Sequence, residues 1–207
     1  NYQLQISNIG EEGSNLNYQV SGSSFLNPLG SDNSGNSWTS SDYESSFDWI
    51  DIEGISTPVN FVTNDTADGT IPIGFDFPIY GQTYTQCSVN ANGWIGFGGD
   101  NNAWENTQLP NNEIPGPALF PFWDDLNPIN DECNQYCAGD VYYYSSPEMF
   151  IVTFDGVAHW WTSFEDSFYT FQVVMYPSGD VYFNYLDLQG DYNSATIGMQ
   201  NANISDA

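Results

Sequence analysis

The chain is 207 residues long and carries 27 Asp and Glu, one His and no Lys or Arg, for a formal charge of -27 at pH 7. With no basic side chain to displace counterions from phosphates or to meet an anionic lipid surface, nucleic acid is excluded as a partner and so is electrostatic membrane anchoring. The hydrophobic share of 40%, with aromatics at 17% and charged residues at only 13%, gives a folded core of one large domain, with at most a small appendage.

Gly, Pro, Asn and Ser recur too often for a 3.6-residue period to persist, and the alternation that remains has period two. Strands are expected over residues 2–7 and 15–20. Residues 21–46, dominated by Ser, Gly and Asn, then read as a linker or long loop. Further strands follow over 47–52, 59–63, 71–77, 84–90 and 94–98, with two-residue hairpin turns at Asp68-Gly69 and at Asn92-Gly93. The remaining strands are 118–123, 140–145, 150–154, 169–176, 181–186 and 195–200, with Pro177-Ser178-Gly179-Asp180 joining the two that should pair. The expected fold is therefore all-β: an antiparallel β-sandwich, jelly-roll-like, over residues 47–207, with an N-terminal β-hairpin appendage over 1–20. Two strands alone cannot bury a face, so the hairpin must pack on the main body or exchange with a neighbouring subunit.

Several motifs carry a resemblance. They are Ile73-Gly-Phe-Asp-Phe-Pro-Ile-Tyr-Gly81, Val89-Asn-Ala-Asn-Gly-Trp-Ile-Gly-Phe-Gly98, Phe120-Pro-Phe-Trp-Asp-Asp-Leu-Asn127, Val157-Ala-His-Trp-Trp161, Phe171-Gln-Val-Val-Met-Tyr-Pro-Ser-Gly179 and Ala195-Thr-Ile-Gly-Met-Gln-Asn201. Together with Phe47-Asp-Trp-Ile-Asp51, they resemble a β-sandwich accessory module of secreted surface proteins and peptidases of the Bacteroidetes type, exported by the type IX route. Leu4-Gln-Ile-Ser-Asn-Ile-Gly10 and Leu16-Asn-Tyr-Gln-Val20 are similar to the closing hairpin of an immunoglobulin-like repeat that precedes such modules. The resemblance implies an extracellular β-sandwich without established chemistry and transfers no catalytic residue. Members of that group ordinarily carry Lys and Arg and continue with another strand past the position of Ala207.

His159, the only imidazole, has Trp160 and Trp161 beside it and no Ser-centred nucleophile motif to work with, which reads as a packed structural residue. Asp124-Asp125 is a carboxylate pair of the kind a glycosidase needs, but 27 acids make such pairs common. Asp124, Asp125, Asn127, Asn130, Asp131 and Glu132 bring hard oxygen ligands into one Pro-interrupted loop, for which calcium is the fitting metal and a solvated acidic loop the plain alternative. Asn64, Asp65 and Asp68 form a weaker second set. Trp94, Trp104, Trp160 and Trp161 can stack on sugar rings or fill the core. Cys133 and Cys137 are expected to close a small disulfide loop with Cys87 buried and free, although Cys87 can pair with either of them instead. The resemblance also makes Thr66, in Asp65-Thr66-Ala67, an O-glycosylation acceptor; an ordinary turn explains the tripeptide equally well.

A complete lack of Lys and Arg, which make up roughly a tenth of ordinary residues, has a chance probability on the order of 10⁻¹⁰. Salt adaptation, exposure to trypsin-like proteases and acidic drift of a dispersed surface protein each account for it, and all three point outside the cell. These features lead to a non-enzymatic, extracellular or cell-surface β-sandwich with structural or adhesive work, repeated in a filament or sheath and self-associating by strand addition. The alternative is an accessory, carbohydrate-binding module of a secreted peptidase or glycanase.

Overall fold

The computed structural model describes residues 16–21, 29–43, 45–99, 102–129, 138–160 and 167–207, the first of these as backbone alone. The described residues form fourteen strands and no helix: β1 Leu16–Ser21, β2 Gly30–Ser31, β3 Ser37–Ser40, β4 Thr57–Pro58, β5 Ala67–Ile79, β6 Gln82–Asn90, β7 Trp94–Gly96, β8 Ala118–Trp123, β9 Leu126–Asn127, β10 Asp140–Ser145, β11 Phe150–His159, β12 Phe168–Met175, β13 Val181–Gln189 and β14 Thr196–Gln200. A nine-stranded sheet has the order β2-β3-β1-β13-β12-β11-β10-β4, with β9 beside β11, and a five-stranded sheet has the order β14-β8-β7-β6-β5. All pairings are antiparallel, so the expected β-sandwich is observed.

Alternation explains the principal core. Phe171, Val173 and Met175 of β12 and Val181, Phe183 and Tyr185 of β13 point inward, against Ile71, Ile73, Phe77, Val89, Ile95, Leu119 and Phe122 of the other sheet. Phe122 crosses the interface, its ring centroid 4.5 Å from that of Tyr169 and 5.5 Å from that of Phe171. Each such side chain contributes about 1.5–3 kcal/mol through burial.

Both sheets are also covered on their outer faces, which is why β8 is buried along its whole length. The loop before β8 brings Ile114, with Ala103 and Leu109, over Trp94, Phe120 and Trp123. On the nine-stranded sheet the covering segment is 47–52, expected as a strand and observed as an irregular strap. It crosses the strands rather than pairing with one. Asn184 Nδ2 of β13 donates to Asp48 O at 3.0 Å, Gln172 of β12 donates to Ile50 O at 2.8 Å and accepts from Ile50 N at 3.3 Å, and Ile52 packs on Ile151 and Val174. Side-chain amides thus take the part of a neighbouring strand in satisfying the strap's backbone.

Other expectations change with the structure. The segment 15–20 is no appendage: β1 lies inside the larger sheet, between β13 and β3, and both of its edges are paired within the chain. The supposed linker over 21–46 supplies β2 and β3, whose Ser37, Thr39 and Ser40 are buried despite their polarity. Joining an existing sheet satisfies short polar strands that cannot bury a face alone. Residues 59–63 form no strand; the chain pairs one step earlier, at β4. Asp68-Gly69 is a bulge within β5, where Thr70 takes a φ of 65°. The Asn92-Gly93 turn is a three-residue loop, because Asn90 pairs with Trp94. Gly93 has a φ of 79°, and a Cβ there would lie 2.0 Å from Phe122 O. The expected strand 2–7 lies outside the described residues.

Candidate functional site at one end of the sandwich

The β6–β7 turn, the ends of β8 and β11 and the approaches to β5 and β14 meet at one end of the sandwich, and this juxtaposition gathers the buried Asn90, Asn92, Asp124, Asn127, His159 and Ser167. Asn92, fully buried in the turn, is its hub. Its Nδ2 donates to Asn64 O at 3.2 Å and to Asp65 Oδ1 at 3.4 Å, its Oδ1 accepts from Leu126 N at 2.9 Å, and its backbone oxygen accepts from Asp124 N at 3.3 Å. One side chain therefore ties the loop before β5 to the end of β8.

Asp124 is 5% exposed and has no Lys or Arg to meet it. Ser194 Oγ donates to its Oδ2 at 2.5 Å, Asp125 N donates to its Oδ1 at 3.0 Å, and His159 Nε2 stands 3.4 Å from the same Oδ1. Hydroxyl and imidazole thus address opposite oxygens of one carboxylate, with Asp124 between them. In nucleophilic catalysis a serine hydroxyl instead lies on the imidazole, with the carboxylate behind. The arrangement seen here ties β8, β11 and β14 together. His159 N donates to Ser167 O at 3.1 Å and Ser167 Oγ accepts from Asp191 N at 2.9 Å, extending the network to the loop after β13.

Asp125 is the group under electrostatic tension. Burial pushes its carboxyl up to about 7, Asp65 pushes in the same direction, His159 opposes and Asp124 adds a smaller push. This carboxyl lies next to a second carboxylate and is partly shielded from water.

Three residues of the calcium set lie among the described residues. Asp124 is turned to its internal partners, Asp125 faces the Asp65 charge, and Asn127 Oδ1 accepts from Ile129 N at 3.1 Å. Asn130, Asp131 and Glu132 lie outside the described residues, as do Cys133 and Cys137. Among the described residues no group of three or more His, Cys, Asp or Glu is arranged to hold a metal ion. In the second set, Asp68 Oδ2 accepts from Asn60 N at 3.1 Å, away from Asp65. Cys87 is buried and free, and burial pushes its thiol well above the ordinary range.

The tryptophans separate as well. Trp94 is a core residue, with no exposed surface and its indole N–H donating to Ala103 O at 3.1 Å, so it is not available to a sugar. Alternation on a sheet covered on both faces cannot show which side of β7 meets water. Trp104 is 46% exposed, Trp160 is half-buried with its backbone N–H donating to Asp125 O at 2.8 Å, and Trp161 lies outside the described residues. Thr66 Oγ1 donates to Thr63 O at 2.8 Å and accepts from Val62 N and Thr63 N, so its hydroxyl organises a local turn.

Sequence reasoning missed Asn92, Ser194, Gln172, Asn184 and Gln200. The first gave a signal only as a turn residue. Gln172, Asn184 and Gln200 sit on strands at positions that alternation assigns to the outside, and Ser194 is an exposed loop residue that carries no signal.

A family model described as NIDO related matches residues 37–207. The chain belongs to the NIDO-related family. The match begins at the first residue of β3 and runs through β14, so it takes in the whole five-stranded sheet and the polar end just described. NIDO-related domains are modules of the extracellular type, which agrees with the localisation expected from composition. No helix among the described residues is long and apolar enough to cross a membrane. No curated protein and no solved structure gave a match.

Proposed function

We propose that this NIDO-related domain is a non-catalytic structural or adhesive unit, repeated in a cell-surface filament or sheath. The observation that carries the reading is the polar end of the sandwich, where Asn92, Asp124 and Ser194 are engaged in holding loops to one another. Assembly by strand addition requires a free edge. β1 offers none, the larger sheet ends in the two-residue strands β2 and β4, and β5 is interrupted by Pro72, Pro78 and bulges that blunt pairing. β14 remains, five residues long with β8 on one side only. A neighbouring copy would add its strand there, with residues 2–7 as the donor.

Copies bearing -27 each repel one another, so association through backbone hydrogen bonds strengthens as salt screens the charge. Sedimentation and electron microscopy of the pure chain across ionic strength test this. Polymers that grow with salt are expected; a monomer at every ionic strength would rule out self-assembly.

Trp104 favours a second reading, an accessory module with sugar affinity in a larger secreted protein, such as the type IX exported peptidases. Its exposed indole is a stacking surface beside a well-packed core. Loss of glycan binding on Trp104→Ala would support that reading over the polymer. In either case calcium between Asp65 and Asp125 would relieve their mutual repulsion.

A further inference from the structure

We infer that Asn203 is the acceptor of an N-linked glycan. Only two asparagines in the chain begin an Asn-X-Ser/Thr triplet, Asn64-Asp65-Thr66 and Asn203-Ile204-Ser205. Such a triplet is an acceptor only where a surface loop of an exported protein presents it. The family is of the extracellular type, so the inference rests on that placement and not on the polymer.

The structure separates the two triplets. Asn64 is half-buried at the polar end, its backbone oxygen bonded to Asn92 Nδ2, and the Thr66 hydroxyl is held by three partners in its turn. Asn203 and Ser205 are both exposed, in the turn that follows β14 at the opposite end of the sandwich. That turn is built without the Asn203 side chain. Asn201 Oδ1 accepts from Ser205 N at 3.0 Å, Asn201 O accepts from Ile204 N at 3.2 Å, and Asn201 N donates to Asp206 O at 3.1 Å. Asp206 anchors it in turn, accepting from Ser34 Oγ at 2.6 Å and from Asn33 N at 3.2 Å. Ile204, at a φ of 56°, stands in the left-handed region that β-branched residues rarely adopt, and the turn holds it there between the two triplet residues. Among the described residues the Asn203 amide makes no hydrogen bond. An anchored turn therefore presents an exposed carboxamide and, two residues on, an exposed hydroxyl whose one partner is Asn201 Nδ2, donating to it at 3.1 Å.

The chemistry is a transfer from a lipid pyrophosphate-linked oligosaccharide, catalysed by a membrane oligosaccharyltransferase. The Asn203 Nδ2 attacks the anomeric carbon, a C–N bond forms as the anomeric C–O bond breaks, the lipid pyrophosphate leaves and the amide gives up one proton.

The test uses protein recovered from its own source. Trypsin has no internal site here, so the chain is cut at Asp and Glu and the Asn203 peptide is weighed before and after a peptide amidase acting in heavy-oxygen water. A glycan mass that is released to leave Asp with one heavy oxygen at position 203 is expected. In the same host, Ser205→Ala and Asn203→Gln should abolish the modification and Ser205→Thr should keep it, with thermal unfolding checking that each variant folds. An Asn203 peptide found only unmodified would overturn the inference, as would a glycan that survives Ser205→Ala or one that resists the amidase and maps to Thr66 alone.

Discussion

Asp125→Asn isolates the electrostatic tension at the polar end. A carboxyl raised in the folded state from 3.8 to about 7 favours folding while it stays protonated. Its contribution is present in full below the unfolded value near 4 and is lost as pH rises through 7. Three units correspond to about 4 kcal/mol, and partial exposure to solvent reduces this to about 1–2 kcal/mol. In a domain of this size that is about 2–4 °C of unfolding midpoint per kcal/mol. Wild type should therefore lose several degrees between pH 5 and pH 8, while Asp125→Asn, neutral throughout, should lose less. General repulsion in a chain of net charge -27 also weakens with acid, so the comparison needs Asp76→Asn, at an exposed position of β5, as its control. Calcium at pH 8 should restore wild type, by roughly 2.7 kcal/mol at a hundredfold excess over Kd, and should do less for Asp125→Asn. Equal pH slopes in wild type and Asp125→Asn, measured by calorimetry, would refute the reasoning. So would an Asp76→Asn slope as flat as that of Asp125→Asn.

Removing the strap's support by Gln172→Ala should cost about 2–4 kcal/mol, since two backbone groups of Ile50 lose their partner; urea unfolding measures it, and hydrogen exchange should show the Ile50 amide opening before the rest. Gly93→Ala should cost about 3 kcal/mol or more, combining a positive φ with a Cβ placed against Phe122 O; thermal unfolding checks it. His159→Gln should lower stability by about 1–3 kcal/mol and remove no hydrolytic activity. Turnover of peptide or glycan panels by wild type, abolished by that change, would overturn the non-catalytic reading.

Strands bounded by turn residues were legible whether one face or both are buried, and segments paired through side chains or only over a few polar residues were not. Residues 118–123 and 140–145 coincide with β8 and β10 because turn residues bound them on both sides. The strap over 47–52 shares the composition of a strand, but its partners are the side chains of Gln172 and Asn184, and no local pattern distinguishes a lateral amide from a neighbouring backbone. β2, β3 and β9 are too short and too polar to alternate. At the candidate site, the acidity of Asp124-Asp125 and the isolation of His159 could be read from the chain. That Asp124 is bonded to Ser194, seventy residues away, while Asp125 feels the charge of Asp65, could not, because the sandwich brings these segments together only through long-range pairing.

The missing basic residues determine how the interior is satisfied. Where an ordinary domain sets Arg or Lys against a buried carboxylate, this chain supplies neutral donors: Ser194 and the Asp125 N–H for Asp124, and Ser34 with Asn33 for Asp206. Backbone oxygens are met likewise, Ile50 by Gln172, Asp48 by Asn184, and Asn111 and Ile114 by Gln200. A hydrogen bond from a neutral donor to a carboxylate stabilises its ionised form as a salt bridge does, but without a cation that salt can screen or a protease can recognise. Asp206 shows the outcome: burial alone would raise its carboxyl, yet the Ser34 and Asn33 donors leave it below the usual range. A folded-state value lowered in this way adds stability above the unfolded carboxylate range and loses it as pH falls through the folded value. Asp125 has no such donor among the described residues and is raised instead, so the two carboxyls pull stability in opposite directions with pH, and the difference lies in the surroundings of each.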